Sequence, residues 1–458
     1  MTLRIDYSNM MISPGGITAE QWDRARQKFA DAKRGFDALR SGGSVGFVDL
    51  PRNKNLVDQV ERFCADARGK FDDVVILGIG GSALGPIALR TALKPSGWNL
   101  LDGGRRNGYP RLHVLDNVDP DTIAALLDRL NLSRSLFIVT SKSGGTAETM
   151  AQFLIVHERL AQSKLEVVQH MVFVTDPKQG ALRPLAQRLG VQALDIPANI
   201  GGRFSVLSPV GTLPAALIGI DVQSLLAGAD EMAKRCETAD AAKNPAAVYA
   251  LLQWTADVEA GKKVAVFMPY SDPLRDVADW FVQLWAESLG KLRPDGVSVG
   301  STPLAALGAT DQHAQVQLFM EGPADKTVTF VAVDGRATDV KIPKAFEDVK
   351  ELGYLAGHSL SELIDIEQRA TAGALAKRGR PNMTIHLDSV DASHVGQLMM
   401  LLEIATAYAG QLYGIDAFNQ PGVELGKQFA YALLGRPGAD AARKEWDSLP
   451  QSDPRYTV

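Results

Sequence analysis

Cysteine is scarce in this chain. Its 458 residues include two, Cys64 and Cys236, and neither stands in a CxxC or Cys/His ligand spacing. That speaks against a disulfide framework and against a structural zinc site. An excess of one charge is also missing. The 48 Lys and Arg residues face 53 Asp and Glu, a net charge of −5, so no basic footprint for nucleic acid is present. No apolar run approaches the ~20 residues that a membrane helix needs. The opening MTLRIDYSNMM lacks the basic-then-apolar pattern of a signal peptide, which makes the cytoplasm the expected location. Low-complexity segments are absent. What remains is ordinary for a globular protein: 46% hydrophobic and 22% charged residues. The length calls for two or more domains.

From residue 71 onward, short apolar runs alternate with amphipathic segments. VVILGI (74–79), RLHVLD (111–116), SLFIVT (135–140), HMVFVT (170–175) and QALDI (192–196) read as strands with helices between them. A second series runs through KKVAVFMPY (262–270), AQVQLFME (314–321), KTVTFVAVD (326–334) and TIHLD (384–388). Alternation of this kind implies parallel sheets covered by helices. The expected fold class is α/β, with two doubly wound parallel-sheet domains and a helical C-terminal tail. The expected division is a helical segment over 1–70, a first α/β domain over 71–225, a helical connection over 226–261, a second α/β domain over 262–391 and a tail over 392–458. Within the tail, HVGQLMMLLEIATAYAGQLYGI (394–415) is strongly apolar at helical spacing. It suits packing inside its own chain or against a partner subunit.

Six stretches could carry chemistry. LGIGGSALGP (77–86) joins a strand to a helix through Gly80, Gly81 and Ser82. Glycines there let the backbone turn and approach a ligand closely. The stretch is neither a P-loop nor GxGxxG, so nucleotide binding is disfavoured. TSKSGGTAET (140–149) offers Ser141, Lys142, Ser143 and Thr146 where a second strand gives way to a helix. A helix N-terminus with hydroxyls suits an anion, and one lysine suits a single phosphate. The same hydroxyls could instead cap their own helix. In NIGGRFSVLSPVG (199–211), two glycines bring Arg203 close to whatever lies opposite. A fixed guanidinium there can stabilise developing negative charge, or pair with a structural carboxylate. WFVQLWAESLGK (280–291) puts Glu287 at the end of an apolar helix, where desolvation would suit a general base and solvation a surface role. TDQHAQVQLFMEGP (310–323) sets His313 in a polar loop before an expected strand. AFNQPGVELGKQFA (417–430) carries Gln420 and Lys427 around a helix start.

Taken together and in this order, GIGGSALGP, SKSGGTAET, GGRFSVLSPVG, AESLGK, TDQHAQVQ and FNQPGVELGK resemble the glucose-6-phosphate isomerase (phosphoglucose isomerase) family. The resemblance spans about Gly78 to Lys427, most of the chain, and GGRFS and QPGVELGK are its most specific parts. It implies two sugar-isomerase domains and reversible interconversion of glucose 6-phosphate and fructose 6-phosphate through ring opening and a cis-enediolate. By resemblance, Ser141, Lys142, Ser143 and Thr146 hold the phosphate, and Gly81 and Ser82 line the same pocket. Glu287 moves the proton between C2 and C1, and Arg203 stabilises the enediolate. His313 opens the ring, oriented by Glu148, with Lys427 near the ring oxygen and Gln420 positioning the sugar. No metal or cofactor is implied. The resemblance also implies a homodimer whose histidine reaches the neighbouring subunit's site, with the 394–415 helix as a candidate contact. SKSGGT stands where many members have SKTFTT, ESLGK where many have ESNGK, and Pro421 where many have tryptophan, which suggests a compact bacterial branch. Two alternatives are an isomerase that also accepts mannose 6-phosphate and a non-catalytic phosphosugar sensor. The second would call for a DNA-binding domain, and residues 1–70 contain no basic recognition helix.

Overall fold

The computed structural model describes residues 3–450 and 452–458. Among the described residues the strands are, in chain order, β1 (Arg4–Asp6), β2 (Asp73–Leu77), β3 (Arg111–Leu115), β4 (Ser135–Thr140), β5 (Met171–Thr175), β6 (Ala193–Asp195), β7 (Val264–Pro269), β8 (Lys291–Leu292), β9 (Ser298–Val299), β10 (Thr302–Ala305), β11 (Lys326–Val333) and β12 (Asn382–Leu387). Strands β2, β4, β5 and β11 are buried along their whole length. That is why β2, β4 and β5 read as largely apolar runs rather than as alternating ones, while β11 also buries Thr327 and Thr329. The expected α/β class with parallel sheets is borne out.

The first sheet is wholly parallel, in the order β3-β2-β4-β5-β6. The chain steps outward from β2 to β3, then returns to the other side of β2 with β4. The order therefore reverses between β2 and β4, and a crevice opens beyond their carboxyl ends. The segments leaving those two ends are GIGGS and SKSGGT. On one face, Phe137, Val139 and Phe173 pack against Phe153, Val156 and Leu160 of the helix Ala147–Gln162. Side chains of this size each contribute ~1.5–3 kcal/mol when fully buried, so the strand ends are held firmly.

The second sheet has the order β1-β12-β11-β7-β10. Its central strands are parallel, and β1 pairs antiparallel with β12 through Ile5 opposite Ile385. The helical segment expected over 1–70 contains the helices Ala19–Ser41 and Lys54–Ala67 but also an edge strand, Arg4–Asp6. Three residues are too few to display a period of two. The second correction concerns AQVQLFME. Val316–Glu321 is a helix, and the strand position falls to Thr302–Ala305. Phe319 is buried, and Val316 and Met320 pack on the same core, which is helical spacing. The apparent alternation through Leu318 misleads, since that side chain is 53% exposed.

The chain divides into two compact units, one ending at Ala417 and one spanning Phe418–Val458. In the first, the helix Ala392–Tyr413 is capped by the Asp391 carboxylate on the His394 amide and ends at Gly414 with φ +70°. It packs on the helices Ala19–Ser41, Val222–Arg235, Pro245–Val258 and Arg275–Leu289. Nearly all of it is buried within its own chain. Its apolar surface is thus already covered, which removes it as the candidate partner contact. The second unit contains the helices Glu424–Leu433 and Asp440–Asp447, with Phe429 against Trp446 at 5.5 Å between ring centroids.

Candidate active site

The turn after β2 is built on close approach. Gly80 has φ +57°, and a Cβ there would lie 2.9 Å from Nε2 of Gln283. A Cβ on Gly81 would lie 2.7 Å from the Arg203 amide nitrogen and closer still to the Gly202 carbonyl group. The turn is therefore pressed against the Gly-Gly-Arg segment, which explains why both stretches are glycine-rich. Ser82 is half-buried at the end of this turn.

Arg203 is 3% exposed. Its Nε donates to Ser288 Oγ at 2.7 Å and its Nη2 to the Ala417 carbonyl at 2.6 Å. Nη1 lies 3.6 Å from Oε1 of Glu287. Burial pushes the guanidinium below its ordinary range, and the Glu287 and Asp416 carboxylates act in the opposite direction.

Glu287 sits in the last turn of the helix Arg275–Leu289. The aromatics of that helix, Trp280, Phe281 and Trp285, are buried in the core. The Glu287 side chain keeps 27% of its surface exposed. One helical turn earlier, Gln283 Nε2 donates to Glu287 Oε2 at 3.1 Å. Gln283 Oε1 is buried without a hydrogen-bond partner among the described residues. One turn later, Lys291 Nζ donates to the carbonyls of Glu287 at 2.6 Å and Ser288 at 2.8 Å, closing the helix end. Burial, then the Arg203 charge, pushes the Lys291 ammonium down to about 8. One carboxylate is thus gripped from two sides, by an amide and by a buried cation, with its open side reachable from solvent.

The turn after β4 forms a hydroxyl cluster. Ser141 Oγ lies 3.0 Å from Thr146 Oγ1, and Ser143 Oγ lies 3.4 Å from it. The amides of Gly144 and Gly145 donate to Ser141 Oγ and Ser143 Oγ at 3.1 and 3.3 Å. Gly144 has φ +62°, and a Cβ there would meet the amide nitrogens of Ala181 and Leu182 at 2.7 and 2.8 Å. Thr146 is the N-cap of the helix Ala147–Gln162, yet its side chain makes no capping bond. Its hydroxyl faces the two serines instead. The Thr146 hydroxyl therefore does not cap its own helix. Lys142 is turned aside, donating to the Ala198 carbonyl at 2.7 Å, and burial lowers its pKa. Glu148 is half-buried in the first turn of the same helix.

The remaining expected residues lie on other segments. His313 is exposed and follows the turn Thr310–Gln312, ahead of a helix rather than a strand. Among the described residues it makes no ion pair with Glu148 or Glu287. Gln420 and Lys427 belong to the second unit, where Lys427 Nζ pairs with Glu424 at 2.9 Å. Gln283, Ser288 and Lys291 were not singled out from the sequence. Their spacing of four around Glu287, and Ser288 beside it, was the available signal.

Among the described residues no group of three His, Cys, Asp or Glu side chains could hold a metal ion, and no helix is long and apolar enough to cross a membrane. The family model described as phosphoglucose isomerase matches residues 48–452. The chain is 44% identical to a glucose-6-phosphate isomerase of Carboxydothermus hydrogenoformans over 466 residues, covering 100% of both. It is 44% identical to one from Rubrobacter xylanophilus, covering 94% of this chain and 98% of that one. Among solved structures, a hypothetical protein of Thermus thermophilus matches with a TM-score of 0.85 at 39% identity, covering 94% of this chain and 100% of that one. With its glycine turns, buried arginine and gripped glutamate carried on this fold, the chain belongs to the phosphoglucose isomerase family.

Proposed function

We propose that this chain interconverts glucose 6-phosphate and fructose 6-phosphate, serving glycolysis and gluconeogenesis in the cytoplasm. The observation that carries the reading is Glu287, whose two oxygens face Gln283 and Arg203. Aldose and ketose differ by a proton moved between C1 and C2. A carboxylate fixed in direction can take the C2 proton and return it to C1. Negative charge then passes to the C1–C2 oxygens as the enediolate forms, and a buried guanidinium already in place stabilises it without reorganisation. The hydroxyls of Ser141, Ser143 and Thr146, at an uncapped helix N-terminus, suit the 6-phosphate. Gly81 and Ser82 would line the same pocket, and Lys142 would add long-range positive charge. In this division the segment 71–225 binds phosphate and 262–391 supplies the base.

The substrate is a closed ring, so it must open first. His313 would move the ring-opening protons, with Glu148 orienting it, Lys427 near the ring oxygen and Gln420 against the sugar. An exposed His313 unpaired with Glu148 in its own chain supports a homodimer in which a second copy lends its histidine.

The test has two arms. Starting from either sugar phosphate, the protein should drive both to one final ratio. Binding without turnover would leave the sensor reading, and conversion of mannose 6-phosphate would widen the substrate range. His313→Ala and Glu287→Gln chains, each strongly impaired, should regain roughly a quarter of native activity when mixed and reassembled, because half the dimers then hold one intact site. No regain in confirmed mixed dimers would count against a shared site.

A further inference from the structure

His313 has no side-chain hydrogen bond of its own among the described residues, so its direction depends on the turn that carries it. That turn is closed by the Leu307 amide donating to Asp311 Oδ2 at 2.7 Å and by the Asp311 amide donating to the Leu307 carbonyl at 2.7 Å. The His313 amide donates to the Thr310 carbonyl at 3.2 Å. Beneath it lies Tyr270, the first residue past β7 and 1% exposed. Gly308 lies against the Tyr270 ring, and a Cβ there would fall inside the van der Waals shell of the ring carbons. The Tyr270 hydroxyl donates to Gln312 Oε1 at 2.5 Å, one residue before His313. Burial pushes that hydroxyl up to about 12, so it remains a donor at neutral pH.

Tyr270 is itself fixed from three directions. Its amide donates to the Val331 carbonyl at 2.8 Å, and its carbonyl accepts from Arg336 Nη2 at 3.0 Å. Its ring stands edge-on to Phe330 at 5.7 Å. The rigid end of the second sheet is thereby transmitted through one side chain to both ends of the turn that carries His313.

We propose that Tyr270 is the positioning residue for His313: its ring seats Gly308, its hydroxyl holds Gln312, and together they set the direction of the imidazole. The inference rests on the reading above that His313 opens the sugar ring. It assigns Tyr270 and Gln312 to the ring-opening step and not to the proton transfer at Glu287.

The experiment compares the full-length wild type with Tyr270→Phe, Gln312→Ala, His313→Ala and Tyr270→Phe/His313→Ala. Exchange between the α and β anomers of glucose 6-phosphate, followed by NMR, reads ring opening directly. Isomerisation by the same samples reads the whole reaction. Tyr270→Phe keeps the ring under Gly308 and removes only the hydroxyl. It should slow catalysed anomer exchange about tenfold, in line with the rate cost of a misdirected catalytic group, with KM unchanged. In the His313→Ala background the same substitution should cost nothing further, since a residue acting through His313 has nothing left to position. Should Tyr270→Phe not fold, Gln312→Ala, a half-buried turn residue, carries the same test. Anomer exchange within twofold of wild type in both variants would overturn the proposal. So would an equal loss in the His313→Ala background, which marks a merely structural role. A wild type that turns over neither sugar phosphate would instead refute the reading on which the proposal rests.

Discussion

Gly81→Ala is the most informative small change. The new Cβ would stand 2.7 Å from the Arg203 amide nitrogen and nearer still to the Gly202 carbonyl, where ordinary contact begins at 3.4 Å. The two segments must separate by about 0.7 Å at Arg203, and by more at Gly202, and both partners are backbone that cannot swing aside. Overpacking of this kind costs about 1–3 kcal/mol of stability. The rate effect should be larger, because the displaced segment carries the guanidinium that faces Glu287. A misplacement approaching 1 Å can cost about a hundredfold in kcat. Gly85→Ala serves as the control: its Cβ would meet Val206 Cγ2 at 2.7 Å, a comparable clash against a core side chain. Thermal unfolding and steady-state isomerisation would be measured on both. The expected pattern is a similar loss of stability, with a large fall in kcat for Gly81→Ala alone. A Gly81→Ala enzyme within threefold of wild-type kcat would refute the view that this contact sets the position of Arg203.

Two further outcomes are expected. Arg203→Lys keeps a charge but cannot reach Ser288 Oγ, the Ala417 carbonyl and Glu287 at once; kcat should fall by about 10²–10³ with a smaller change in KM, as steady-state kinetics would reveal. The Lys291 ammonium is held down to about 8 against an ordinary 10.5, so the unfolded chain binds the extra proton between those values. Its burial cost is fully present below about pH 8 and is relieved as pH rises toward 10.5, which means wild type should gain stability relative to Lys291→Met between about pH 7 and about pH 9.5 in urea unfolding. Parallel profiles would contradict that assignment.

Much of this was legible from residues alone, for a physical reason. Strands buried on both faces leave largely apolar runs, and the loops leaving β2 and β4 are glycine-rich because backbone segments come close there. The misreadings share a cause as well. Arg4–Asp6 is a three-residue edge strand that gains its identity only by pairing with β12. Val316–Glu321 satisfies a period of two by accident of Leu318, while burial follows Val316, Phe319 and Met320. The helix Ala392–Tyr413 was plainly apolar, but what covers it is a matter of tertiary packing that no local pattern records. Gln283 was overlooked because an amide on a helix carries no chemical signature until its partner, Glu287, is known to matter.

On the proposed reading, Glu287 moves the proton between C2 and C1. Incubating the protein with fructose 6-phosphate in deuterated water, beside Glu287→Gln, tests it directly by NMR. Deuterium should appear at C2 of the glucose 6-phosphate formed, and should be lost in the variant while Gln283 and Arg203 remain in place. Turnover by Glu287→Gln at the wild-type rate, or product free of solvent deuterium at every stage of the reaction, would contradict it.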